Sequence, residues 1–154
     1  LVHLQDEVPR APQYRLMPGV ESLLARLSTE KRFLLGLGTG NIEQGARIKL
    51  ARGDLNRHFA FGGFGSDAED RADLLRAGVR RAAQTVNVDP TACSVVVIGD
   101  TTRDVEAAHT IGAPCIAVAT GTQDLATLRA AGPAIALGTL EDTDVLAALH
   151  DLTA

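Results

Sequence analysis

Two aspartates four residues apart, Asp100 and Asp104, stand where the apolar run of VVVIGDTTRDVEAA stops. A carboxylate placed directly after Val-Val-Val-Ile-Gly has little packing value. It falls just past the end of a buried strand, where open α/β sheets keep their ligand crevice. Asp104 falls in the first turn of the helix that follows, so both carboxylates can face that crevice. Two carboxylates plus water form a hard-oxygen site suited to Mg²⁺, which takes one or two protein carboxylates and keeps most of its waters. Thr101-Thr102-Arg103-Asp104 also has the T-x-x-D form of a capping box, in which Asp104 only caps the helix. Both readings of Asp104 stand at the level of sequence.

A second stretch, GLGTGN (36–41), follows a strand and opens a helix. Gly38 and Gly40 let the backbone turn tightly and approach a ligand closely. Thr39 offers a hydroxyl, and Gly40 and Asn41 offer amides at a helix start, an arrangement suited to phosphate. The alternative for Thr39 is a plain helix N-cap. The stretch is also a truncated dinucleotide fingerprint, but G-x-G-x-x-N lacks the third glycine, and no clear ribose-binding acid follows about 20 residues later. The third candidate is Arg71 in SDAEDRADLL (66–75), near the start of a helix that follows a strand. A cation there could hold a phosphate oxygen and balance charge developing in a transition state. Its alternative is a surface arginine flanked by Asp70 and Asp73.

These residues need a scaffold, and the apolar periodicity supplies one. Helices are expected over 20–27, 42–53 with Gly53 as C-cap, 67–86, 102–112 ended by Gly112, 124–132 and 140–152. Strands are expected over 33–37, 59–63, 94–99, 114–121 and 134–137. Strand and helix alternate, and the strands are apolar throughout. That pattern predicts a doubly wound α/β fold, a parallel sheet covered on both faces.

Composition narrows the function. The 154 residues are 45% hydrophobic with a formal net charge of −4, which suits a folded domain with a core of its own. Arg76, Arg80 and Arg81 form the only local basic concentration, at the spacing of a solvated helix face. Aromatics are scarce, so nucleic acid is not an expected partner. Cys93 and Cys115 form no C-x-x-C and are expected to be small buried or semi-buried residues in a reducing compartment. No apolar run reaches membrane-spanning length, and the N-terminus lacks a signal peptide's pattern. A cytoplasmic protein without membrane contact is expected. The absence of an initiator Met suggests a chain that starts partway through a longer product.

The order of the motifs carries a resemblance. A strand ends in T-G-N, a later helix start carries a cation, and a later strand ends in G-D-T-x-x-D-V. From about Met17 to about Gly121 the chain resembles the haloacid dehalogenase-like hydrolases, in their phosphoglycolate-phosphatase-like branch. VVVIGDTTRDVEAAHTIGAPCIAVATG is the most specific piece. The resemblance implies that Thr39 is the phosphate-binding hydroxyl and that Arg71 stands where the family usually has Lys. It implies that Asp100 and Asp104 are the Mg²⁺-binding acidic pair, and that the substrate is a small phosphorylated metabolite.

The family's first motif, D-x-D-G-T after an apolar strand, supplies the attacking Asp and the general acid, and it has no counterpart in this sequence. Near the N-terminus, where the family has that motif, the nearest candidate is Leu4-Gln5-Asp6-Glu7-Val8, with Asp-Glu-Val where Asp-x-Asp is required. Residues 1–16 are expected to be a remnant of the cap or linker segment, and 17–154 the C-terminal part of the hydrolase core. The strand missing from such a core is the central first one, between the strands ending at Thr39 and Asp100. The chain alone is therefore expected to be inactive, and to be poorly stable, to self-associate, to rearrange a segment into the gap, or to be completed by a missing N-terminal segment. The alternative function is a non-catalytic phosphate- or metal-binding module of the same fold. A dinucleotide-binding domain rests on GLGTGN alone.

Overall fold

The computed structural model describes residues 16–141 and 144–154. In chain order the elements are α1 (Val20–Thr29), β1 (Gly36–Thr39), α2 (Glu43–Ala51), β2 (Phe61–Phe64), α3 (Arg71–Val86), β3 (Val97–Gly99), α4 (Thr102–Thr110), β4 (Cys115–Val118), α5 (Leu125–Ala130), β5 (Ile135–Leu137) and α6 (Asp144–Leu152). They divide into two compact units, one built from Leu27–Pro90 and the other from Met17–Arg26 with Thr91–Ala154.

In the first unit β1 and β2 pair in parallel, from Gly36 opposite Phe61 to Thr39 opposite Phe64. Phe64 and Leu74 are each 1% exposed and anchor its core, with Ala46, Leu55, Ala72 and Ala77 buried around them. Burying side chains of the size of Phe and Leu contributes about 1.5–3 kcal/mol each. The Arg47 guanidinium lies over the Phe64 ring, 5.8 Å from its centroid, and donates to the Phe59 carbonyl at 2.5 Å. Helix α3 begins with Asp70 as N-cap, its side chain accepting from Asp73 N–H at 3.1 Å. It ends on Asn87 in the left-handed region (φ 56°).

The second unit holds the parallel order β3-β4-β5. β4 is central and wholly buried. Its Cys115 and Ala117 form a core with Val105, Ala108 and Leu128, against which Val97, Ala119, Ala131 and Ala136 pack. Helix α4 ends as expected near Gly112, which has φ +73°.

The fold class expected from the sequence, parallel α/β, holds, and its departures have local causes. The first strand is Gly36–Thr39, not 33–37: Phe33 closes a turn by donating to the Glu30 carbonyl at 3.1 Å. The strand expected over 94–99 is only Val97–Gly99. Val97 N–H donates to the Pro114 carbonyl at 3.0 Å, and Pro114 has no N–H with which to extend the ladder. Helix α3 starts at Arg71, not 67, because the Asp70 side chain caps it there. Gly53 does not cap α2. Arg52 takes that place in the right-handed region, and the left-handed residue is Asp54 (φ 54°).

Full burial of every strand is not observed. β1 and β3 are only partly covered, with Ile98 39% exposed and Leu34, just before β1, 44% exposed. Among the described residues β1 pairs only with β2, and β3 only with β4. The assignment of 1–16 to a cap remnant falls, for 1–15, outside the described residues.

Candidate active site

In the second unit the chain leaves β3 at Gly99 and enters α4 through a loop held by one carboxylate. Asp104 Oδ2 accepts from Asp100 N–H at 3.1 Å, Thr101 N–H at 3.1 Å and the Thr101 hydroxyl at 2.9 Å. Asp104 N–H returns a bond to Thr101 Oγ1 at 3.3 Å, closing a capping box. Asp104 is 4% exposed. The capping alternative for Asp104 is thus present, and the same oxygen also fixes the loop that carries Asp100. Gly99 is required beneath it, since a Cβ there would overlap the Asp104 side chain.

Asp100 differs in every respect. It is half-buried, and among the described residues its carboxylate accepts no hydrogen bond. It lies against Gly121, where a Cβ would run into Asp100 Oδ2. The loop carrying Gly121 is tied to α4 by Gln123, whose Oε1 accepts from Thr102 N–H at 2.6 Å. Sequence reasoning assigns no role to Gln123 or to Gly121, which only closes the IAVATG stretch; the fold brings Gly121 to Asp100 and Gln123 to Thr102. Among the described residues no group of three or more His, Cys, Asp or Glu side chains could hold a metal ion. Among the described residues the donors are the Asp100 carboxylate, which accepts no hydrogen bond there, and the buried Asp104 carboxylate next to it. Such a set fits Mg²⁺, which completes its shell with water, and does not fit a cation that needs an all-protein cage.

In the first unit Thr39 is the last residue of β1 and does not cap a helix. The N-cap of α2 is Ile42, with no side-chain capping bond. Thr39 Oγ1 instead accepts from Asn41 N–H at 3.1 Å and from Asn41 Nδ2 at 3.0 Å. The backbone amide of Asn41, expected to face a phosphate, is therefore spent on Thr39. Gly40 is exposed, with open space where a Cβ would stand. Lys49 Nζ donates to Asn41 Oδ1 at 3.1 Å, and Gly65 N–H donates to the Asn41 carbonyl at 2.8 Å.

Gly65 belongs to the loop that leads from β2 to Arg71, so the two loops at the carboxyl ends of paired parallel strands are stitched together. Arg71, half-buried, is the first residue of α3. A cation at a helix N-terminus opposes the helix dipole at a cost of about 0.3–1 kcal/mol. Its flanking acids are engaged, Asp70 as the cap and Asp73 with Arg76 at 2.7 Å.

The same loop is braced by an ion pair whose arginine, Arg81, the sequence places on a solvated face. Arg81 grips Asp67 through two hydrogen bonds, at 2.7 and 2.6 Å, and donates to the Gly62 carbonyl at 2.6 Å. Asp67 also accepts from Phe64 N–H at 2.9 Å. The Arg81 hydrogen bonds, and then that N–H, hold the Asp67 carboxyl down at about 2. Cys115 lies under α4, and its burial, reinforced by the Asp104 carboxylate, pushes the thiol up to about 11. No helix among the described residues is long and apolar enough to cross a membrane.

A family model described as HAD-hydrolase-like matches residues 76–143, a span that includes Asp100 and Asp104. The phosphoglycolate phosphatase of Synechococcus elongatus is 34% identical over 131 residues, covering 85% of this chain and 58% of that protein. A haloacid dehalogenase-like hydrolase of Streptococcus pneumoniae superposes with a TM-score of 0.72 at 24% identity, over 88% of this chain and 60% of that one. A Thermotoga maritima protein provisionally called a β-phosphoglucomutase does so with a TM-score of 0.68 at 29% identity, over 87% and 59%. The chain spans about three-fifths of the length of each of these relatives.

Proposed function

The chain belongs to the haloacid dehalogenase-like hydrolases, in their phosphoglycolate-phosphatase-like branch, and from that premise we propose that it is the C-terminal part of a Mg²⁺-dependent phosphomonoester hydrolase. Its substrate is a small phosphorylated metabolite, and its compartment is the cytoplasm. The observation that carries the reading is the contrast between two neighbouring carboxylates. Asp104 Oδ2 accepts three hydrogen bonds from its own loop, while the Asp100 carboxylate, at the end of β3, accepts none among the described residues. An aspartate at the end of a strand with no partner among the described residues is placed as a ligand to a cation would be.

In this reading Asp100 holds the cation directly. Asp104 fixes the loop and adds charge behind it. Bound Mg²⁺ would offset the negative charge of the phosphate and of the attacking carboxylate. Thr39 and Gly40 hold the phosphoryl oxygens at the end of β1, and Arg71 balances the charge that builds in the transition state.

The reaction is an in-line displacement at phosphorus. A carboxylate oxygen forms the new P–O bond, and the ester oxygen leaves with a proton from a general acid. Water then releases phosphate from the aspartyl-phosphate. The sequence holds no D-x-D-G-T, so the attacking carboxylate and the general acid come from a segment outside these residues.

Calorimetric titration of Mg²⁺ into the chain tests the metal half of the proposal. Binding that disappears in Asp100→Asn supports it. Binding that is equal in both proteins removes Asp100 from the site.

A further inference from the structure

Resting on the phosphate reading of Thr39, we propose that Lys49 is a positioning residue, whose ammonium fixes the Asn41 side-chain amide so that the Thr39 hydroxyl points its hydrogen at a phosphate oxygen. An asparagine amide has nearly the same shape after a half-turn that exchanges its oxygen and nitrogen, so only its partners decide which way it faces. A lysine ammonium can only donate. With Lys49 Nζ at 3.1 Å, the atom facing it is the oxygen, Oδ1. The nitrogen, Nδ2, then faces Thr39 Oγ1 at 3.0 Å and donates to it. Asn41 N–H donates to the same oxygen at 3.1 Å.

A hydroxyl has two acceptor positions and one hydrogen to give. Both acceptor positions of Thr39 are filled, so its hydrogen is directed away from Asn41. A phosphate oxygen only accepts, and it meets a donor already set. Without Lys49 the amide is free to turn. Oδ1 would then face Thr39 and capture the hydroxyl hydrogen inward. The backbone of the loop does not depend on Lys49, because Gly65 N–H holds the Asn41 carbonyl independently at 2.8 Å. Lys49 is exposed on α2, so replacing it leaves the core untouched.

The test is an amide-resolved NMR titration of the full chain with inorganic phosphate at fixed ionic strength. Lys49→Arg keeps a donor-only cation and stays within about twofold of the parent, while Lys49→Met weakens binding at least about fivefold, the worth of one modest hydrogen bond. In a Thr39→Val background Lys49→Met has less than about a twofold further effect, because the hydroxyl it orients is gone. An equal loss in both backgrounds means that Lys49 acts only as a charge, and it overturns the proposal. Failure of the parent chain to bind phosphate overturns the phosphate site itself, and the relay with it.

The ligand-free spectrum reads the orientation directly. The Asn41 side-chain amide resonances stay in place in Lys49→Arg and move in Lys49→Glu, where the new partner only accepts. Identical resonances in all three proteins contradict the proposal even where phosphate binds.

Discussion

The backbone N–H of Asp100 donates to Asp104 Oδ2 at 3.1 Å, so the aspartate that ends β3 is aimed by the aspartate that opens α4. The pair divides its labour, and the division can be measured. Asp104→Asn replaces an acceptor of three hydrogen bonds at a site 4% exposed, and it should cost about 1–3 kcal/mol of stability. Asp100→Asn should leave the urea midpoint nearly unchanged and abolish any stabilisation by Mg²⁺. Gly121→Ala, which crowds Asp100 Oδ2, should weaken Mg²⁺ binding more than it affects folding. Urea titrations with and without Mg²⁺ read all three, and equal stability losses at positions 100 and 104 would contradict this division.

The Asp67–Arg81 brace makes stability depend on pH. Asp67 titrates at about 2 in the folded chain against an ordinary 3.8. A folded-state value below the unfolded one stabilises the protein above the unfolded value, and the contribution is lost as pH falls from about 4 through about 2. Arg81 is 40% exposed, so solvent screening reduces the contribution to about 1 kcal/mol. Asp67→Asn should lower the denaturation midpoint at pH 7 and have little effect near pH 2. An equal shift at both pH values would show that the pair acts through packing alone.

The two thiols should separate by reactivity. Cys115 is fully buried with its pKa raised to about 11, whereas Cys93 is partly exposed. Alkylation at pH 8 should label Cys93 alone in the native chain and Cys115 only after unfolding. Rapid native labelling of Cys115, followed by mass spectrometry, would show that α4 opens away from β4.

The edge of β3 should drive association. Ile98 is 39% exposed on a strand that, among the described residues, has a ladder on one side only, and unpaired edges template further pairing. Sedimentation velocity should show association that grows with concentration and falls in Ile98→Lys. A monomer at all concentrations would show that the edge is already covered.

The sequence made the scaffold legible because apolar strands alternate with amphipathic helices, and VVVIGD marks the end of a strand even where that strand is only partly buried. What it left open was decided by hydrogen bonding. T-x-x-D is a capping box at Thr101 and Asp104, yet Thr39, which reads equally well as a cap, belongs to a strand and turns its oxygen toward Asn41. Arg81 has the spacing of a solvated face, but an acid that spacing cannot reveal, Asp67, draws it into the β2–α3 loop. Lys49 and Gln123 carry no motif, and Gly121 only closes one. They become visible only when the chain returns to within contact distance of Asn41, Asp100 and Thr102.

The central claim is tested most directly by Mg²⁺-dependent hydrolysis of p-nitrophenyl phosphate. The assay compares the chain as it stands, the chain extended upstream by a D-x-D-G-T strand, and the extended chain carrying Asp100→Asn. Turnover is expected only in the extended chain, and it is lost in the Asp100→Asn form. Mg²⁺-dependent turnover by the unextended chain would contradict the central claim, because the attacking group would then lie within these 154 residues.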